Sequence, residues 1–165
     1  MRRPAAVVLD LDGVVADTRH RMHHLHGRRK DWDAFFAAAD DDPVHPEGLA
    51  VAREAVARGA AVLYLSGRPE RLRGATERWL RAVGAPEGDV VLRPDGDRRP
   101  AAVVKLAALR RLAERWRLNV LVDDDPDVVR TVRRARPAVV GEVLLADWQP
   151  RDAALHSAQE KEGRT

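Results

Sequence analysis

The chain lacks cysteine and has no long apolar run. Without cysteine it can form neither a disulfide nor a thiolate zinc site, and it cannot use a cysteine nucleophile. No apolar stretch approaches the roughly 18 residues that cross a bilayer, and Asp10 and Asp12 interrupt the start of the chain, where a signal peptide needs an apolar segment. We therefore expect a cytoplasmic protein with no membrane segment, whose chemistry depends on carboxylate, histidine, serine and lysine side chains.

Lysine is also scarce, because the 29 basic residues comprise 26 arginines and 3 lysines, and the net charge is only +3. Alanine is abundant as well, so the arginine excess fits a GC-rich genome and is weak support for nucleic-acid binding. The 165 residues, 45% of them hydrophobic, suit one compact domain with a single core. This composition excludes a disordered chain and a fibre.

Short apolar runs alternate with longer segments of helical spacing, which predicts an α/β fold. Continuous apolar runs are typical of parallel strands that are covered on both faces, and the connections between them should be right-handed crossovers. We therefore predict a doubly wound, Rossmann-like parallel sheet in a domain of residues 1–148, followed by a polar tail over 149–165. The predicted strands are Ala5–Leu9, 61–65, 89–92, 119–122 and one within 138–146; the predicted helices are 48–58, 70–83, 101–117 and 126–136.

A segment of about thirty residues, 17–46, separates the first strand from its helix. It is expected to contain two short helices, around 19–26 and 32–39. Because it leaves the carboxyl end of the first strand, where open α/β sheets bind ligands, we interpret it as a small helical lid insertion. Its aromatic residues could stack a nucleobase or pack the lid against the sheet. Its histidines, at positions 20, 23, 24 and 26, could bind a transition metal or simply face solvent.

Acidic residues follow the first and the fourth predicted strands. Asp10 and Asp12 lie where the first strand ends, and Gly13 permits a sharp turn there. Asp123 and Asp124 begin a run of three acids after the fourth strand; taken alone, that run is typical of a solvated turn and a helix cap. Because both strands end at the same edge of the sheet, a shared cation explains the two acidic groups better, and oxygen ligands favour Mg²⁺.

Two further segments end at the same predicted edge. Ser66, Gly67 and Arg68 follow the second strand and open a helix, where a hydroxyl and backbone amides can bind an anion, although Ser66 could equally be a plain helix cap. Lys105 lies early in the helix after the third strand. A lone lysine carries little information by itself.

Along the chain, the acidic pair at Asp10 and Asp12 is followed by Ser66, by Lys105 and by the acids from Asp123. Segments in this order resemble the haloacid dehalogenase superfamily of phosphotransferases, over roughly residues 5–146. The resemblance implies that Asp10 is the nucleophile and takes the phosphoryl group as an aspartyl-phosphate. It also implies that Asp12 protonates the leaving alkoxide and then deprotonates the attacking water. The remaining implied roles are phosphoryl binding by Ser66 and Lys105, and Mg²⁺ binding by Asp10, the backbone carbonyl of Asp12, Asp123 and Asp124.

The segments LYLSGRPE and VVLRPDGDRRP, with no large cap, resemble more narrowly the phosphatase domain of bacterial and phage polynucleotide kinase-phosphatases. This resemblance implies substrate contacts by Gly67, Arg68 and Arg93, and by Arg21 or Arg19 of the lid. The chain has no G-x-x-x-x-G-K-[ST] P-loop, so a kinase would have to be a separate partner. It also carries Asp125 where such domains commonly have arginine, which adds negative charge beside the metal.

These observations predict a Mg²⁺-dependent phosphomonoesterase that removes 3′-phosphates from nucleic-acid ends. A nucleotide or small-metabolite phosphatase of a biosynthetic pathway is the alternative substrate class. A non-catalytic regulator that binds phosphate or Mg²⁺ is a third reading, although such a module would not need Asp12.

Overall fold

The first strand, β1 (Ala5–Leu9), carries apolar side chains throughout because both faces of the sheet are covered. In the computed structural model, which describes residues 2–161, β1 is the centre of a five-stranded sheet in the order β3-β2-β1-β4-β5. All four strand pairings are parallel. The other strands are β2 (Ala61–Pro69), β3 (Gly88–Arg93), β4 (Arg117–Asp123) and β5 (Glu142–Leu145).

Helices cover both faces of this sheet, which confirms the predicted doubly wound α/β fold. Ala6 and Val8 of β1 are buried in the core shared with α4 and α5, whereas Val7 and Leu9 are buried in the core shared with α2 and α3. The helices are α1 (Trp32–Ala37), α2 (Pro46–Ala57), α3 (Arg73–Ala82), α4 (Ala101–Arg115), α5 (Pro126–Arg134) and α6 (Ala153–Lys161), with 3₁₀ helices at Arg19–Leu25, Ala38–Asp41 and Glu70–Leu72. No helix in the described part of the chain is long and apolar enough to span a membrane.

The segment between β1 and α2 forms a helical insertion with a small core of its own. Met22, Leu25, Phe35 and Phe36 are buried against one another, and Leu155 of α6 completes the cluster. The rings of Phe35 and Phe36 lie edge to face with their centroids 5.5 Å apart. These phenylalanines therefore pack the insertion, while its action as a lid stays a prediction.

The C-terminal part of the described chain differs from the polar tail expected over 149–165. Residues Ala153–Lys161 form α6, in which Leu155 and Ala158 are buried. Before this helix, Gln149 accepts a hydrogen bond from the Thr18 backbone at 3.2 Å and donates to the Thr18 hydroxyl at 2.9 Å. The segment thus packs against the insertion.

Candidate active site

Asp10 lies directly after β1, at the carboxyl edge of the sheet, where β4 also ends in Asp123. The two carboxylates are joined by Lys105 of α4, whose Nζ lies 2.8 Å from Asp10 Oδ2 and 2.6 Å from Asp123 Oδ2. All three residues are buried. The structure therefore brings together three residues that the sequence places up to 113 positions apart, as the parallel topology requires.

Asp124 adds a third carboxylate to this centre. Ligand atoms of Asp10, Asp123 and Asp124 lie within 4.8 Å of one another, and a Cβ added to Gly13 would stand 2.1 Å from Asp124 Oδ2. Only glycine leaves room for this carboxylate, and Gly13 also has a φ of +83°. Asp124 Oδ1 is buried and has no hydrogen-bond partner within residues 2–161.

These carboxylates fit a hard divalent cation. When ionised, they carry three negative charges against the single positive charge of Lys105, and a buried excess of negative charge requires compensation. The unpartnered Asp124 Oδ1 offers a further oxygen for the same purpose. An all-oxygen ligand set of this kind suits Mg²⁺.

Burial raises the pKa of Asp10 to about 7, and Asp123 and Asp12 act in the same direction while Lys105 opposes them. Burial also raises the pKa of Asp123, and raises that of Asp124 well above its ordinary value. Although burial acts to lower it, the neighbouring Asp10 and Asp123 raise the pKa of Lys105, which is therefore charged at neutral pH. At this edge of the sheet, the three carboxyl groups of the described residues therefore outnumber the one cationic side chain, Lys105.

Asp12 lies in a second buried network, beside the first. Its Oδ1 accepts hydrogen bonds from Arg68 Nε at 3.0 Å, Arg68 Nη2 at 2.6 Å and Arg21 Nη2 at 2.9 Å. The same two arginines donate to Asp42, at 2.7 and 2.8 Å from Arg21 and at 3.0 Å from Arg68. Two acids and two arginines therefore compensate one another out of contact with water.

This network determines the protonation state of Asp12. Burial acts to raise the pKa of Asp12, but Arg68 and Arg21 outweigh burial and lower that pKa to about 2. A carboxyl group so strongly acidic is a poor proton donor at neutral pH. In this arrangement Asp12 is a buried anion rather than a general acid. A metal contact by Asp12 would use its backbone carbonyl, as predicted, because its carboxylate is held by the arginines.

Arg21 and Arg19, the two arginines of the insertion predicted to contact the substrate, lie in different surroundings. Arg21 is fully buried and stacks over Phe35, with Cζ 4.2 Å from the ring centroid, whereas Arg19 is exposed and pairs with Asp17 at 2.5 Å. Arg68 is only 2% exposed. Direct contact of Arg21 or Arg68 with a substrate stays a prediction, because both guanidinium groups face the interior.

The remaining predicted site residues line the ends of β2 and β3. Ser66 Oγ accepts a hydrogen bond from the Arg68 backbone at 3.1 Å, and Gly67 is buried within β2. Arg93 ends β3 and donates to the carbonyl oxygens of Asp97 and Arg99 at 3.3 and 2.8 Å. Ser66, Gly67 and Arg68 lie within β2, and the helical segment begins only at Glu70, so the prediction that they follow the strand and open a helix was wrong. Contact of Ser66 with a phosphoryl group stays a prediction.

Asp42 is the member of this buried network that the sequence reasoning missed. It is the last of three consecutive acids, and its side chain is fully buried, whereas Asp40 and Asp41 are exposed. Its backbone carbonyl accepts from Trp79 Nε1 at 2.9 Å. The one signal in the sequence is the following proline, Pro43, and it does not distinguish a buried acid from a solvated turn.

The histidines of the insertion have separate partners. His20 Nε2 lies 2.7 Å from Asp42 Oδ1, and His26 Nε2 lies 2.5 Å from Asp152 Oδ2. Two groups of three potential metal ligands occur within residues 2–161, and neither includes these histidines. Metal binding by this cluster therefore gains no support.

The parallel sheet and the centre built from Asp10, Lys105 and Asp123 define a phosphatase domain of the haloacid dehalogenase type. The family described as the polynucleotide kinase PNKP phosphatase domain matches residues 4–141. The chain belongs to this family, which confirms both resemblances predicted from the sequence.

Two solved structures of a Pnkp1/Rnl/Hen1 complex are similar to this chain. One matches with a TM-score of 0.73 and 26% identity, over 92% of this chain and 48% of that chain. The other, a Pnkp1/Rnl/Hen1 RNA repair complex, matches with a TM-score of 0.68 and 28% identity, over 88% and 44%. The chain thus spans about half the length of these matched chains.

The class C acid phosphatase from Bacillus anthracis with tungstate bound shares the fold, with a TM-score of 0.63 at 21% identity, over 77% of this chain and 54% of that chain. No curated protein matches the chain in sequence.

Proposed function

We propose that the chain is a Mg²⁺-dependent phosphomonoesterase that acts through an aspartyl-phosphate at Asp10. The observation that carries this proposal is the position of the Asp10 carboxylate, between the ammonium of Lys105 at 2.8 Å and two acids able to share a cation. A carboxylate in such surroundings can remain anionic, and therefore nucleophilic, once the excess negative charge is compensated.

In the first step, an Asp10 oxygen forms a bond to phosphorus while the bond from phosphorus to the alcohol oxygen breaks. The alcohol oxygen takes a proton as it leaves. In the second step, a water oxygen forms a bond to phosphorus and the water loses a proton, while the bond from phosphorus to the Asp10 oxygen breaks. Inorganic phosphate leaves, and the Asp10 carboxylate is restored. Mg²⁺ held by Asp10, Asp123 and Asp124 would add positive charge against the phosphoryl oxygens.

Asp12 is the proposed proton carrier in both steps, but only in a rearranged state. Its two arginine partners keep it ionised in the present arrangement. Binding of an anionic phosphate near these arginines would compete with Asp12 for them, and a carboxylate that loses a cationic partner becomes more basic. Substrate binding would thereby convert Asp12 into an effective acid and base.

For the substrate, we propose a nucleic-acid 3′-phosphate. The family match over residues 4–141 and the likeness to a component of an RNA repair complex support this class. A kinase or ligase of nucleic-acid repair is the corresponding proposed partner, and the cytoplasm the proposed compartment. If the enzyme prefers small phosphorylated substrates, it is a nucleotide or metabolite phosphatase instead.

The substrate is tested with 3′-phosphorylated and 5′-phosphorylated oligonucleotides, free nucleotides and sugar phosphates, compared by kcat/KM in Mg²⁺. We expect the 3′-phosphorylated oligonucleotide to be the best substrate at low and at physiological salt. The Asp10→Asn protein, purified in parallel, controls for contaminating phosphatases. Preference for a free nucleotide under both conditions would overturn the end-repair assignment and leave the metabolite phosphatase in its place.

A further inference from the structure

A second group of potential metal ligands lies where the N-terminus of α5 meets α6. Asp125 caps α5, Asp127 lies in its first turn, and His156 of α6 faces both. Ligand atoms of the three side chains lie within 4.8 Å of one another. None of the three belongs to the group formed by Asp10, Asp123 and Asp124.

Asp127 Oδ1 accepts a hydrogen bond from Arg130 at 2.5 Å, but internal hydrogen bonds leave two buried atoms of this group without a partner. The Asp125 side chain is 2% exposed, and its Oδ1 accepts from the Asp127 backbone at 2.8 Å, but its buried Oδ2 has no partner within the described part of the chain. His156 Nδ1 is also buried and unpartnered there, with Asp125 Oδ1 3.6 Å away. One ion can take only one of the two ring nitrogens, so the unpartnered Asp125 oxygen is the stronger observation. Buried polar atoms left in this way normally indicate an additional partner.

A small cavity lies beside Asp125 and His156. It has a volume of about 20 Å³ and is lined by Asp124, Asp125, Asp152 and His156 among others. A cavity of about 10–15 Å³ is already large enough for one water-sized guest. With three carboxylates and Arg151 on its wall, the cavity favours a cation over an anion.

We propose that Asp125, Asp127 and His156 form a second metal site, specific for a divalent transition metal such as Zn²⁺. His156 Nε2 lies 3.1 Å from Asp127 Oδ2, so one ion could contact both atoms. Imidazole nitrogen is a good ligand for Zn²⁺, whereas Mg²⁺ prefers oxygen alone. The two centres of this domain therefore differ in metal preference.

The second site would couple the C-terminal helix to the catalytic edge. Its ligands join α6 to the N-terminus of α5, two residues after Asp123. On the same helix, Leu155 closes the core of the insertion. A bound ion would therefore stabilise the contact of α6 with both α5 and the insertion.

The test measures Zn²⁺ stoichiometry by calorimetry on the full chain, without a histidine tag, in excess Mg²⁺. We expect one Zn²⁺ per chain in the wild type and a higher Tm when Zn²⁺ is bound. Both effects should be lost in His156→Gln and, as a second variant at another partly exposed ligand, in Asp127→Asn. Both should remain in the double variant His23→Gln/His24→Gln and in Asp10→Asn.

Equal Zn²⁺ binding by His156→Gln and the wild type would overturn the proposal, as would a wild type that binds no Zn²⁺ in Mg²⁺. In the second case the three side chains only contact one another. Loss of binding in the His23→Gln/His24→Gln variant would assign the metal to the insertion instead. Because the readout is stoichiometry rather than turnover, none of these outcomes bears on the proposed phosphatase activity.

Discussion

Arg68 holds Asp12 through two hydrogen bonds to the same carboxylate oxygen, from Nε at 3.0 Å and from Nη2 at 2.6 Å. The residue expected to shuttle protons is thus an ion-paired anion in the present arrangement. The insertion contributes to this state, because it supplies Arg21 and Asp42 to the same network. In the proposed mechanism, the position of the insertion therefore governs whether Asp12 can act as an acid.

Arg68→Lys should lower kcat because lysine keeps the positive charge but cannot hold the Asp12 carboxylate in position through two hydrogen bonds. If Arg68 acts through Asp12, the loss should be about tenfold or more for an alkyl phosphate, and smaller for p-nitrophenyl phosphate, whose leaving group needs little protonation. Arg71→Lys, three residues away and half exposed, should leave both rates unchanged. A defect confined to oligonucleotides would instead make Arg68 a direct substrate contact.

Asp42→Ala should destabilise the fold, because it leaves Arg21 and Arg68 buried with Asp12 as their one remaining acid in the network. Removing one member of a buried ion pair costs about 3–5 kcal/mol of unfolding free energy. The exposed neighbour provides the control, since Asp41→Ala should cost less than about 0.5 kcal/mol. Urea unfolding at neutral pH measures both values. Equal stabilities of the two variants would contradict the network described here.

Gly13→Ala should weaken Mg²⁺ binding, because the new Cβ would overlap the Asp124 carboxylate. Gly96→Ala is a matched control: Gly96 has a similar φ of +80°, but nothing lies within 4 Å of the added atom. Both variants should lose about 1–2 kcal/mol of stability from the strained backbone. Only Gly13→Ala should also show a higher Kd for Mg²⁺ by calorimetry. Unchanged metal affinity in Gly13→Ala would remove Asp124 from the site.

Mg²⁺ affinity should rise with pH between 6 and 8. Burial raises the pKa of Asp10 to about 7, so Asp10 is largely protonated below that pH and must lose its proton to bind a cation. The raised pKa values of Asp123 and Asp124 act in the same direction. Calorimetry in buffers of different ionisation enthalpy should detect proton release on binding, and less of it in Asp10→Asn. A Kd that is constant over this range would contradict the carboxylate assignment.

The fold and the first acidic centre could be predicted because they follow from local pattern and simple topology. Continuous apolar runs specify buried parallel strands, and such strands present their carboxyl ends at one edge. Asp10 and Asp123 therefore meet in any sheet that places β1 beside β4. Gly13, which follows Asp10 and Asp12, also predicted the turn correctly.

The second network and α6 could not be predicted because their positions depend on tertiary packing. Asp42 reaches Arg68 only through the path of the insertion, which has no periodicity that would reveal which of three acids is buried. Similarly, Leu155 lies in a polar sequence, and its burial depends on contact with the insertion core. The raised pKa of Asp10 likewise results from burial at the assembled edge rather than from neighbouring residues in the sequence.

The most direct test of the central claim is hydrolysis of p-nitrophenyl phosphate by wild type and Asp10→Asn at saturating Mg²⁺. Asparagine has the same shape as aspartate but cannot attack phosphorus, so we expect a loss of about 10³-fold or more, with unchanged urea unfolding. EDTA should abolish wild-type turnover, and Mg²⁺ should restore it. An Asp10→Asn protein that keeps about a tenth of wild-type kcat, or wild-type turnover that survives exhaustive chelation, would contradict the account.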